Sequence, residues 1–159
     1  MRVKDIFTEA VITCKPETNL AEAVELMWNN DCGSLPVLNE EGKVAGMLTD
    51  RHICMAMGTR NARPSDLLAG DVMETTVVTC HSLDHIRGAL GIMRQAKVRR
   101  LPVLGETGAL EGIVSIDDIV ANIRRDHGNA DAISYGEMVT ALSSILTREE
   151  RPAVQAVAA

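Results

Sequence analysis

Two stretches decide the fold: Leu35-Pro36-Val37-Leu38 followed by Gly46-Met47-Leu48-Thr49-Asp50-Arg51-His52-Ile53, and Leu101-Pro102-Val103-Leu104 followed by Gly112-Ile113-Val114-Ser115-Ile116-Asp117-Asp118-Ile119. Each position of the second set lies 66 residues after its counterpart in the first. The register holds without a gap from residue 5 to 53, so that Asp5-Ile6-Phe7 returns as Asp71-Val72-Met73, Val11-Ile12-Thr13-Cys14 as Val77-Val78-Thr79-Cys80, and Gly42 as Gly108. Self-similarity at a fixed offset marks one supersecondary unit used twice.

Within a copy, the apolar run Val11 to Cys14 predicts a strand. A helix follows over 19 to 30, with Leu20, Ala23, Val24 and Met27 on one face and Asn19 with Glu22 as a capping pair. Leu35 to Leu38 and Val44 to Leu48 flank Asn39-Glu40-Glu41-Gly42, the composition of a hairpin turn. A second helix starts near Asp50, which makes the unit β-α-β-β-α, repeated from Val77 to Arg125. So small a unit buries too little surface to stand alone, so the two copies are expected to pack together. The predicted class is α+β: two tandem units with pseudo-twofold symmetry, a cleft lined by both, and a C-terminal helix. The divisions are 1–66 for the first repeat with its connection, 67–126 for the second, and 127–159 for the last helix and tail.

Beyond Arg125, Asp126-His127-Gly128-Asn129 reads as a helix stop and loop. Ser134-Tyr135-Gly136-Glu137 fits a capping box, and Met138, Leu142 and Ile145, with Val139 and Leu146 beside them, form an apolar stripe. That stripe serves either packing on its own domain or a dimer contact. The tail after Arg151 is expected to fray.

Composition narrows the function. Of 159 residues, 46% are hydrophobic and the net charge is -6, against broad binding to nucleic acid or an anionic membrane. A single Trp, Tyr and Phe leave no base-stacking platform. No apolar run reaches bilayer length, and Met1-Arg2-Val3-Lys4-Asp5 meets charge too early for a signal sequence, so the cytoplasm is the expected location. Cys14, Cys32, Cys54 and Cys80 form no C-x-x-C pair and read as buried thiols. Cys80 with His81 and His85, and His52 with Cys54, are the candidates for a metal or redox site, without the spacing of a structural zinc site. There is no nucleophile elbow, P-loop, H-E-x-x-H or G-x-G-x-x-G, and Asp117 and Asp118, adjacent on a helix, do not converge on one atom. The chain reads as a binding protein without catalysis.

Leu-Pro-Val-Leu, a polar turn, and then Gly, two apolar residues, Ser or Thr, two residues and Asp resembles the cystathionine-β-synthase (CBS) domain, over residues 3 to 125. Such domains occur in pairs, as Bateman modules, in the γ subunit of AMP-activated protein kinase, in IMP dehydrogenase, in chloride channels and as free-standing bacterial proteins. The resemblance implies a regulatory module that binds AMP, ADP, ATP or a related adenosyl ligand. It also implies that no cofactor is required, that the module pairs into a homodimer, and that it acts on a partner protein the sequence does not identify.

The Ser-x-x-Asp spacing has its own chemistry. Ser115 should end a strand and Asp118 sit in the next helical turn, where a hydroxyl and N–H groups donate to phosphate and a carboxylate accepts from a ribose diol. The competing reading is that the pair only caps the helix. The resemblance places the matching Asp on ribose. Arg99 and Arg100 stand where the kinase γ subunit carries a phosphate-contacting pair, and strand alternation lets at most one of them face the cleft. Family geometry adds Pro102, Ile113, Ile12, Cys32 and Ser34 to this site. A second site would comprise Thr49, His52, Val78 and Val98, but there His52 replaces the Asp, and Asp50 does not substitute, because each residue along a helix turns the side chain by roughly 100°. That site is empty, takes a ligand differently, or responds to pH through His52. Two other readings are a structural dimerisation module with a degenerate cleft and a metal- or redox-responsive module.

Overall fold

The computed structural model describes residues 1–123 and 132–147, so the expected stop at Asp126 to Asn129 and the tail after Arg151 lie outside the described residues. In the first unit β1 (Ser34–Leu38) and β2 (Val44–Thr49) pair antiparallel, flanked by α1 (Leu20–Asn29) and α2 (Asp50–Arg60). In the second, β3 (Cys80–His81), β4 (Arg100–Leu104) and β5 (Leu110–Ser115) form a sheet in that order, with α3 (Ile86–Ala96) and α4 (Ile116–Asn122). A last helix, α5 (Tyr135–Leu146), follows. No helix among the described residues is long and apolar enough to cross a membrane.

The repeat survives down to single residue pairs. Ser34 faces Thr49, Leu35 faces Leu48 and Pro36 faces Met47, just as Arg100 faces Ser115, Leu101 faces Val114 and Pro102 faces Ile113. Both hairpins bulge at the same place, after Val37 and Val103. Both turn on a glycine in the left-handed region, Gly42 at φ 75° and Gly108 at φ 78°, where a side chain would be strained. Alternation sends Leu35, Val37 and Leu48 into one core and Leu101, Val103 and Val114 into the other. Asn19 caps α1 by accepting from Glu22 N at 3.0 Å, as its spacing predicts.

The first predicted strand is shorter than its apolar run. Of Val11 to Cys14 only Cys14 pairs, parallel to Val37, and its counterpart β3 contains only Cys80 and His81. Cys14 N donates to Pro36 O at 3.1 Å and Cys14 O accepts from Leu38 N at 2.9 Å. The preceding residues have left that edge, so no ladder forms along them, and they stay half-buried.

They leave it because each unit sends its leading segment to the other. Val3 N donates to Asp84 O and Lys4 N to Ser82 O, both at 2.9 Å, while Thr8 and Ile113 exchange a pair of backbone bonds. Reciprocally, Ala69 N donates to Thr18 O at 2.8 Å, Gly70 N to Pro16 O at 2.9 Å, and Glu74 and Met47 exchange a pair. Val3 is thereby buried in the second core, and Leu67 and Ala69 in the first. The crossing also explains the glycine of the motif: a Cβ on Gly112 would strike the Phe7 ring and Thr8 O, and one on Gly46 would strike Met73.

The apolar stripe of α5 packs on its own chain. Ser134 and Glu137 close the predicted capping box, Met138, Ala141 and Ile145 enter the second core beside α3, and Glu137 pairs with Arg87 at 3.4 Å. Val139 and Leu146 remain exposed. The cover makes the two units unequal: Leu90 and Ile123 are each 5% exposed, whereas their first-unit counterparts Val24 and Met57 are 44% and 36% exposed.

Candidate functional site

Strand β5 ends at Ser115 because the next residues turn helical, and Ser115 itself, extended at φ -114° and ψ 165°, is the N-cap of α4. Its Oγ donates to Asp118 Oδ2 at 2.6 Å, its N–H donates to the same oxygen at 2.7 Å, and Asp118 N donates to Ser115 Oγ at 3.1 Å. The capping reading of this pair is therefore realised. It does not exhaust the carboxylate: both bonds fall on Oδ2, which leaves the lone pairs of Oδ1 available.

Directly opposite partners in an antiparallel ladder project to the same face. Arg100 and Ser115 are such a pair, and Pro102 and Ile113 the next but one, so that these four share one face with Asp118 at its end. Arg99 is one residue before the strand and points to the other side, its carbonyl accepting from Ile116 N at 2.9 Å. Arg99 and Arg100 are both solvent-exposed.

The first unit repeats the scaffold with other chemistry. Ser34, 7% exposed, faces Thr49, and Thr49 Oγ1 accepts from His52 N at 3.2 Å. His52 does not close the box: its Nδ1 is buried and has no hydrogen-bond partner. Ile12 and Cys32 pack against the first core, Val78 and Val98 against the second. The exchanged leaders join the two sets. One runs from Thr8, beside Ile113, through Ile12 to Cys14, beside Val37; the other runs from Glu74, beside Met47, through Val78 to Cys80, beside Val103.

A concavity of about 590 Å³ lies elsewhere, on the helical side of the first unit, where Val24, Trp28, Cys32, Asp50, Cys54 and Met57 line the space between α1 and α2. This is the face that α5 covers in the second unit, and Trp28 stands 84% exposed on it. The expectation of four buried thiols needs correction here. Cys54 is exposed and Cys32 half-buried, because both open onto this uncovered groove, whereas Cys14 and Cys80 are buried. Burial, with Glu22 nearby, pushes the Cys14 thiol up to about 11. Burial, with Asp84 nearby, pushes that of Cys80 up to about 12. His85 is the N-cap of α3, its Nδ1 accepting from Arg87 N at 3.3 Å. Among the described residues, no three His, Cys, Asp or Glu side chains converge as metal ligands.

The fold and the doubled hairpin-to-helix arrangement define a tandem pair of repeats, and residues 3–59 and 69–125 each match the CBS domain. The chain belongs to the CBS domain family. CBS domain-containing protein YhcV of Bacillus subtilis is 33% identical over 132 residues, which cover 83% of this chain and 92% of that protein. Hypoxic Response Protein I, solved with two coordinated zinc ions, superposes with a TM-score of 0.69 at 29% identity, over 76% of this chain and 98% of its own. The CBS domain pair of protein MJ0100, in complex with 5′-methylthioadenosine and S-adenosyl-L-methionine, superposes with a TM-score of 0.68 at 25% identity, over 76% and 98%.

Proposed function

We propose that this chain is a regulatory, non-catalytic module that senses an adenine nucleotide, AMP, ADP or ATP, in the cleft between its two CBS repeats. One observation carries the reading: Arg100, Ser115 and the unused Oδ1 of Asp118 share one sheet face and one helical turn. A cation for phosphate, a hydroxyl for either group and a carboxylate for a ribose diol are the three chemistries that such a ligand needs. Ile113 and Pro102 extend the same face with apolar surface, and Ile12 and Ser34 of the first unit supply the adenine side, whereas Cys32, expected there from the resemblance, opens onto the α1–α2 groove instead. Arg99 assists from outside that face. The adenosyl ligands bound to the MJ0100 pair support the class of ligand.

The zinc ions of Hypoxic Response Protein I raise a metal-responsive reading. The donor set favours the nucleotide, since the described residues gather no three metal-ligating side chains. Ligand occupancy is relayed to a partner protein, and the module self-associates as a homodimer through the uncovered α1–α2 face that carries the exposed Trp28. Calorimetric titration with AMP, ATP, adenosine, S-adenosylmethionine and zinc tests the reading: the nucleotides bind and zinc alone does not. Absence of nucleotide binding at millimolar concentration would leave the structural dimerisation module as the better account.

A further inference from the structure

We infer that His52 is a specificity-determining residue that closes the first unit to ribose, so that the module takes one adenine nucleotide per chain and not two. This deepens the nucleotide reading above and rests on it.

The two units offer the same backbone at this place. Thr49 and Ser115 each end a strand, each accepts from the N–H three residues on, and each faces a strand-entry residue across the ladder. What differs is the number of acceptors at the third position of the helix. A carboxylate has about four lone-pair sites; Ser115 uses two, both on Oδ2 of Asp118, and the two on Oδ1 match the two hydroxyls of a vicinal diol. A neutral imidazole has one acceptor nitrogen, and a protonated one has none. His52 also turns Nδ1 inward, buried and without a partner, which leaves only Nε2 to meet a ligand. One nitrogen satisfies at most one hydroxyl, and the other would be desolvated without a bond, which costs more than the first bond returns. Asp50 does not repair the loss. It is exposed, its Oδ1 accepts from Arg51 N, and its Oδ2 lies 3.0 Å from where a Cβ on Gly33 would be, on the groove side.

The test is the stoichiometry of adenosine and AMP binding by calorimetry, on wild type, His52→Asp and Asp118→His. Wild type should bind one ligand per chain, His52→Asp two, and Asp118→His none. The new site in His52→Asp should favour AMP over adenosine less than the native one does, because Gly33 and Ser34 stand where the second unit has Arg99 and Arg100. Imidazole resonances of His52 in wild type, followed by NMR during the adenosine titration, give a readout that does not depend on how any variant folds. They should stay in place while the signals of Ser115 and Asp118 move. Two sites in wild type, a His52 signal that shifts with ligand, or a folded His52→Asp still binding one ligand would each overturn the inference. Absence of any binding to wild type would instead overturn the nucleotide reading, and the inference with it.

Discussion

Arg100 stands directly across the β4–β5 ladder from Ser115, whereas the equivalent pair in the first unit is Ser34 across from Thr49. The same geometry thus carries a guanidinium beside a hydroxyl in one unit and two hydroxyls in the other. Arg100→Ala should weaken AMP roughly tenfold to a hundredfold, the worth of about 1.5–3 kcal/mol for a charge-assisted bond, and barely change adenosine. Arg99→Ala, on the opposite side of the strand, should have a much smaller effect on either. Parallel calorimetric titrations separate the two arginines.

Asp118 is part of the helix cap and the proposed partner of the ribose. Asp118→Ala should cost about 1 kcal/mol of stability through the lost capping box and, separately, tenfold to a hundredfold in affinity for adenosine and AMP alike. Denaturant melts read the first effect and titrations the second. Unchanged affinity would remove Asp118 from the site.

The crossing of the exchanged leaders can be tested at the motif glycines. Gly112→Ala should destabilise the fold by about 1–3 kcal/mol, since its Cβ meets the Phe7 ring and the backbone of Thr8. Gly46→Ala should cost less, because the atom it meets first is the flexible end of Met73. Gly58→Ala, within α2 with nothing inside 4 Å, should stabilise by about 0.5–1 kcal/mol through helix propensity. Urea unfolding of the three variants orders them.

Self-association should depend on Trp28. Trp28→Glu would place a charge in the uncovered α1–α2 groove and should disrupt the proposed homodimer, sedimentation at equal concentration showing a dimer for wild type and a monomer for the variant. The melting temperature of the monomeric unit should change little, since Trp28 is already 84% exposed on the single chain.

Thiol reactivity follows burial. Cys54 should react with an aromatic disulfide reagent within the native protein, and Cys14 and Cys80 only after unfolding. Their raised values also set an alkaline limit. Below the ordinary value of 9.0 both states keep the proton, and the thiols then favour neither. Above it the unfolded thiols ionise while the folded ones stay protonated up to about 11 and about 12. Unfolding therefore releases protons, and stability falls as pH rises through that window. Replacing both cysteines by Ala should flatten the decline in a pH series of urea melts.

The chain alone determined much of this. A 66-residue offset is visible without coordinates, and it carries with it the hairpin glycines, the caps at Asn19 and Ser134, the period-two cores and the contrast of Asp118 with His52. These are local matters: side-chain alternation and the hydrogen-bonding needs of a helix start depend on residues a few positions apart. Tertiary structure decided the rest. That Phe7 crosses Gly112 and Met73 crosses Gly46 depends on which unit each leader joins, and either choice satisfies the same apolar pattern. The stripe of α5 reads equally as intramolecular packing or as a dimer contact, because hydrophobicity specifies that a surface must be covered and not by which chain. Whether Cys54 is buried depended on that same choice, since α5 covers one unit's helices and leaves the other's open.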